Sequence, residues 1–293
     1  MHIKISRQTK IAFITIFLLL STTFFTKIVD SSSEISISPV NHINYTTSDP
    51  LYITNDSDLA GNATSGDGSA STPYIIEGLS IITGDTYAIY ISGTTFSFII
   101  RDCYIVGSIG AIYIDNAQSN SVKISNNILS GANRAIRLET TDYTNITDNI
   151  CQNSGDGMWL DRSDHVYVEN NTCTGGNNGI YSYQCSYTTY IGNKIHSNSD
   201  RGLWIAYNSD YNNITNNKVY SNGNEGIFVD NSVSSSITLN ECYLNNYNGI
   251  YVLSGSSNTF ENNYLHNNNR DGIKITSSTS NTVANNTLYN NDW

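Results

Sequence analysis

Three carboxylates recur along the chain at nearly constant spacing: Asp115, Glu139 and Asp161. Each stands two residues beyond a ring or a cation, Tyr113, Arg137 and Trp159 in turn. Acids stacked one above another repel unless they are protonated, screened or bridged by a cation. Oxygen ligands so placed would suit Ca²⁺. Carboxyls beside an arginine would also suit acid and base work in glycoside cleavage, which makes Asp115, Glu139, Asp161 and Arg137 catalytic candidates. The plain alternative is a solvated acidic face.

The residue two before each acid belongs to a longer series. Tyr90, Tyr113, Arg137, Trp159, Tyr181, Trp204, Phe228, Tyr251 and Lys274 follow at the same step, and seven of the nine are aromatic. Flat rings spaced along one face offer surfaces for sugar rings to stack on. An exposed stripe of this length marks an interaction site. The alternatives are a ladder that stabilises a sheet by cross-strand stacking and burial against another protein.

Such columns exist only if the elements carrying them repeat. A motif of small residue, apolar, any, apolar begins at Ala88, Ala111, Ala135, Gly157, Gly179, Gly202, Gly226, Gly249 and Gly272, in steps of 22 to 24 residues. The third position points outward between two inward residues. A second half follows in each repeat. Ile124, Ile146, Val168, Tyr190, Ile214, Leu239, Phe260 and Val283 each precede, by three, a bend position. That position reads Asn127, Asn149, Asn171, Asn193, Asn217, Cys242, Asn263 and Asn286, with Cys103 in the same place earlier. Two residues further lie Leu129, Cys151, Cys173, Ile195, Val219, Leu244, Leu265 and Leu288. Short strands with period-two alternation, separated by Asn, Gly and Ser bends, predict a solenoid. Stacked coils pair every strand with the coil above and below, and the bend asparagines form a ladder.

Composition agrees. Of 293 residues only 13% are charged, while 21 are Tyr and three are Pro. That profile belongs to strands rather than to a charged disordered chain. The net charge is −11 with no run of Lys or Arg beyond the first ten residues, so no nucleic-acid partner is expected.

Lys4, Arg7 and Lys10 precede an apolar stretch from Ile11 to Phe25, the pattern of a secretory signal. No small-x-small site stands before Asp30, so the segment also reads as a short N-terminal membrane anchor. Residues 1–29 are therefore expected as signal peptide or signal anchor, 30–72 as polar linker and N-terminal cap, and 73–293 as repeats. The body is expected to be extracellular, on the cell surface or periplasmic. Seven Asn-x-Ser/Thr sequons, such as Asn145 and Asn170, are compatible with glycosylation. The chain stops inside a repeat at Trp293 without a cap, which points to self-association or a larger assembly through that end.

From about Gly66 the chain resembles the right-handed parallel β-helix superfamily, in particular its NosD-like branch. The stretch from Gly66 to Gly78 is similar to the opening segment of NosD-like domains. The resemblance implies an all-β fold, a right-handed parallel β-helix (solenoid) of about 9–10 coils of about 23 residues. The superfamily includes pectin-degrading lyases and hydrolases, binding modules, and accessory proteins for copper-enzyme maturation, and fold does not choose among them. The polygalacturonase-like motifs Asn-Thr-Asp, Asp-Asp, Gly-His-Gly and Arg-Ile-Lys do not occur as a full set; Gly272 to Lys274 is the repeat itself. Pectate-lyase-like enzymes place an Arg or Lys beside Ca²⁺-binding acids. Arg137 near Asp115, Glu139 and Asp161 matches that only loosely, so no mechanism is carried over. A copper role lacks residues: two Met and five His form no His-x-His or Met-rich run, and His165 reads as a surface pair with Asp164.

Cys151 and Cys173 occupy the same inward position in adjacent coils. They read either as a disulfide or as two buried free thiols. No Cys-x-x-Cys motif points to zinc. On the surface, Arg134 with Asp156 and Arg201 with Glu225 are expected as ion pairs between coils. Three functions remain: an exported module binding polysaccharide or surface glycan along the aromatic stripe, a pectin-type lyase or glycoside hydrolase, and a structural or adhesive rod.

Overall fold

A computed structural model describes residues 45–107, 109–118 and 122–292. The expected export segment lies outside them. Among the described residues, three parallel sheets of 11, 10 and 10 strands run the length of the chain, and each coil contributes one strand to each sheet. We call the sheet carrying the small-apolar-x-apolar motifs the first sheet. Its strands include Tyr87–Ser92, Gly110–Asp115, Arg134–Glu139, Asp156–Asp161 and Asn178–Tyr183. The second and third sheets follow it in each coil, with strands such as Asn145–Thr147 and Ile150–Gln152. The architecture is the expected parallel β-helix, with almost no helix.

Alternation places the core. Ile112, Ile136, Met158, Ile180, Leu203, Ile227 and Ile250 form one fully buried column inside the first sheet. Ile124, Ile146, Val168 and Ile214 do the same in the second, and Leu129, Cys151, Cys173 and Ile195 in the third. One coil breaks the apolar rule at two places that answer each other. Tyr190 is fully buried, and its hydroxyl donates to Ser182 Oγ at 2.6 Å. A buried phenol needs a hydrogen-bond partner. Ser182, where other coils carry Ile, Leu or Val, supplies the acceptor and the room.

The bend between the second and third sheets is two residues long. Its first residue is left-handed: Asn126, Asp148, Asn170, Gly192, Asn216, Leu239, Asn262 and Asn285. Its second is the ladder asparagine, whose Nδ2 donates to Oδ1 of the next coil's Asn at 2.9–3.1 Å from Asn127 through Asn286. Cys103 heads this ladder, its N–H bonded to Asn127 Oδ1.

The coil after Asn217 departs from the expectation. Asn240, not Cys242, continues the ladder. Ile237 pairs with Ile214, and Cys242 is an inward residue between Val219 and Leu265. Leu239 takes the left-handed bend and is 59% exposed, and Leu244 is exposed as well. Two leucines on bends had imitated the inward pattern; the buried amide hydrogen bonds of Asn240 set the register instead.

The coils also begin earlier than residue 73. Thr46–Thr47 pairs with the strand Leu79–Thr83, and Leu51–Ile53 pairs with Tyr87–Ser92. Between them and the next strand lies one short helix, Asp56–Asn62, capped by the Asn55 side chain, with Leu59 buried in the core.

Candidate functional site

The third motif position is in register along the whole first sheet. Tyr52, Tyr90, Tyr113, Arg137, Trp159, Tyr181, Trp204, Phe228, Tyr251 and Lys274 are successive partners. Tyr52 extends the series by one coil. Centroids of neighbouring rings lie 4.5–6.4 Å apart. Cations complete the column: Arg137 lies 4.4 Å from the Tyr113 centroid, Arg134 3.9 Å from Trp159, and Arg201 4.3 Å from Trp204. The stripe is therefore less open than expected. Tyr113, Tyr181 and Phe228 are only 8%, 8% and 5% exposed, while Tyr90, Trp159, Trp204 and Tyr251 are partly exposed. At a strand spacing of about 4.8 Å adjacent rings fill each other's faces. The column presents ring edges and guanidinium groups rather than bare faces.

Asp115, Glu139 and Asp161 are in register beside it. Glu139 receives the donors. Tyr113 Oη donates to Oε2 at 2.6 Å, Arg137 Nη2 to Oε2 at 2.5 Å, and Arg162 Nη2 to Oε1 at 2.6 Å. The Tyr113 bond, helped by the two guanidiniums, holds Glu139 below the usual carboxylate range. Asp115 and Asp161 move the other way: burial raises each, and the charge of Glu139 adds to it. Burial and the Glu139 bond push the Tyr113 hydroxyl up. Both oxygens of Glu139, the central acid of the three, are engaged by arginine and tyrosine. Among the described residues no group of three or more His, Cys, Asp or Glu side chains is placed to hold a metal ion.

Six buried side-chain nitrogen or oxygen atoms among the described residues lack a hydrogen-bond partner, and five lie on this face. They are Nε of Arg134 and Arg137, Nε1 of Trp159 and Trp204, and Oδ1 of Asp161. Folded proteins keep such atoms few, and each asks for an explanation.

Of the two expected ion pairs, Arg201–Glu225 forms at 3.1 Å. Arg134 instead lies over Trp159, and Asp156 accepts from Asn178 Nδ2 at 2.9 Å. Cys151 and Cys173 are register partners, fully buried, and stand as free thiols.

Two further ladders escaped the sequence reading. Tyr143, His165, Tyr187 and Tyr211 stack nearly parallel, 4.5–5.0 Å apart, at the bend between the first and second sheets. His165 thus pairs with rings and not with Asp164. His196, Tyr220, Tyr243 and His266 stack likewise outside the third sheet. Their steps of 22 to 24 residues were present in the sequence, but the members of the first sit in loops, where period-two alternation gives no signal.

The chain is similar in fold to the A-module of a mannuronan C-5 epimerase from Azotobacter vinelandii, with 15% identity and a TM-score of 0.62 over 74% of this chain and 80% of that one. It is similar to the Dettilon tailspike protein at 16% identity and a TM-score of 0.55, over 73% of this chain and 55% of that one. It is also similar to the DFA-IIIase of Arthrobacter chlorophenolicus in complex with DFA-III, at 11% identity and a TM-score of 0.54, over 81% and 71% of the two chains. Among curated proteins none matches the chain in sequence. The profile described as "Right handed beta helix region" matches residues 134–288, more than half of the chain. The column of rings, cations and acids is therefore carried by a chain that belongs to the right-handed β-helix family.

Proposed function

We propose that the outer face of the first sheet binds a polysaccharide, with the polymer lying along the solenoid axis over Tyr90, Tyr113, Trp159, Tyr181, Trp204, Phe228 and Tyr251. The observation that carries this reading is the concentration among those rings of four buried arginine and indole nitrogens without a hydrogen-bond partner, beside Asp161 Oδ1, which is only ion-paired to Arg162 Nε at 3.4 Å. A polyhydroxylated chain both donates and accepts hydrogen bonds. It meets arginine and indole N–H groups at its edges while its apolar faces rest on aromatic edges. Guanidinium groups over the rings provide planar donors for carboxylates or hydroxyls. Two of the solved β-helices it resembles are named for mannuronan and for DFA-III; that likeness concerns the fold, and the reading rests on the face itself. Export fits it too, supported by the basic and then apolar segment from Lys4 to Phe25.

One observation favours catalysis as a second reading. Neighbouring carboxyls whose environments push their protonation apart are the usual arrangement of an acid and a base. Asp161 is raised and Glu139 lowered. Glu139 is nevertheless held by three donors, which opposes its acting as base.

Retention and product release on mannuronan, polygalacturonate, cellulose and chitin separate the readings. Binding predicts retention without release, weakened about tenfold or more in Trp159→Ala and Trp204→Ala. Release of reducing or unsaturated ends, lost in Asp161→Asn, would establish the lyase or hydrolase instead. No retention and no release on any polymer would end both.

A further inference from the structure

Arg134 and Arg201 hold equivalent places on the outer face of the first sheet, each just before the small residue of its motif. Both guanidiniums lie over an indole, Arg134 at 3.9 Å from Trp159 and Arg201 at 4.3 Å from Trp204. Their charges are met differently. Arg201 Nε donates to Glu225 Oε2 at 3.1 Å, and its Nη1 lies 3.3 Å from Asp200 Oδ2. Among the described residues no carboxylate stands within ion-pair distance of Arg134.

The neighbouring coils explain the difference. Arg134 is in register with Gly110, which has no side chain, and with Asp156. The Asp156 carboxylate instead accepts from Asn178, from its N–H at 3.3 Å and its Nδ2 at 2.9 Å. The other nearby acids are engaged as well: Glu139 by Arg137 and Arg162, and Asp161 by Arg162. Burial and the like charge of Arg137 hold the Arg134 guanidinium below its usual value; Asp156 and Asp161 counter this only from beyond ion-pair reach. A partly buried cation beside a like charge gains most from an added anion.

The geometry leaves such an anion a way in. Nε of Arg134 is buried, but its two Nη groups are not, and neither has an acceptor in the protein. Stacking on the indole fixes the plane of the guanidinium. Its paired donors match the oxygens of a carboxylate or a sulfate. The chain's net charge of −11 opposes a polyanion at a distance. That repulsion is screened beyond about 8 Å at physiological salt, whereas an ion pair with Arg134 acts at contact.

We propose that Arg134 is the charge-selecting position of this face: it pairs with an anionic group, a uronate carboxylate or a sulfate ester, on a sugar of the bound polymer. The proposal rests on the glycan-binding reading and adds the polymer's charge class to it.

Matched oligosaccharide pairs test it by titration calorimetry on the full chain at physiological salt. One pair is oligogalacturonate and the same oligomer with its carboxyls reduced; the other is a sulfated galactan oligomer and its desulfated form. At least one charged member is expected to bind about tenfold or more tighter than its neutral counterpart, and which one does so separates carboxylate from sulfate. Arg134→Ala and Arg134→Gln should each bring that ratio close to one. Glutamine keeps a polar side chain beside Trp159, so agreement of the two variants sets packing aside. Arg201→Ala should weaken both members together and preserve the ratio, because that guanidinium is already paired. Equal binding of charged and neutral members overturns the proposal, as does a ratio that survives both Arg134 variants. Retention on a neutral polymer with no binding of any charged member also overturns it and leaves the glycan reading standing. No retention on any polymer ends that reading and the proposal with it.

Discussion

Glu139 and Asp161 stand one coil apart, yet their surroundings pull their protons in opposite directions. Glu139 has its folded value lowered by Tyr113 and two arginines, so it contributes stability above the unfolded carboxylate value and loses it as pH falls through the folded one. Asp161 has its folded value raised by burial and by Glu139, so its contribution is lost as pH rises through the window between unfolded and folded values. Asp161→Asn is therefore expected to raise the melting temperature at pH 7, with the gain fading below about pH 4. Glu139→Gln should lower it at pH 7, with the deficit fading on acidification. Melting curves of both variants at the two pH values check the signs. A fall for Asp161→Asn at pH 7 would mean that Arg162 outweighs burial. At this scale the sequence placed every member of the acid column and, Tyr52 apart, of the aromatic column. It could not say what covers them, because alternation gives a side chain's direction but not its neighbours. Arg134 was assigned to Asp156 by charge and instead covers Trp159, where the guanidinium meets a flat ring.

Each repeated motif of the first sheet starts with a small residue for a reason visible in its packing. A Cβ on Gly202 would stand 2.3 Å from Val219 Cγ1 and 2.6 Å from Gly226 O, so the next coil leaves no space for it. The bends are set by amides. Asn193 is fully buried, donates to Val168 O and to Asn217 Oδ1, and accepts from Asn171 N–H and Nδ2. Asn193→Ala leaves two buried donors of Asn171 without an acceptor and should cost about 1–3 kcal/mol in urea unfolding. A change within error would reduce the ladder to a spectator. The first ladder was legible as a repeated Asn. The second, Asn198 through Asn291, was not singled out, although it bonds at 2.9–3.0 Å in the same way. The misread coil around Asn240 shows the limit of pattern alone: two apolar bend residues outvoted one amide on paper, while in the fold the amide's buried hydrogen bonds decide.

For the molecule as a whole, repetition made the fold readable and left function harder to see. Each coil rests on its neighbours, so a period near 23 residues specifies a solenoid without reference to any site. The candidate face emerges only when coils are stacked and the partners of its polar atoms are counted. The same stacking turns single residues into long columns, and a long ligand is the natural complement to a column. Three tryptophans occur in the chain: Trp159, Trp204 and Trp293. In a Trp293→Phe background, emission reports only from the proposed face. The decisive measurement is a fluorescence titration of that variant with short oligomers of mannuronate, galacturonate and glucose. A saturable change with at least one of them, reduced in Arg137→Ala and Arg201→Ala, is the predicted result. Unchanged emission with all three, at concentrations where the matching polymer retains the protein, would place the ligand elsewhere and contradict the account.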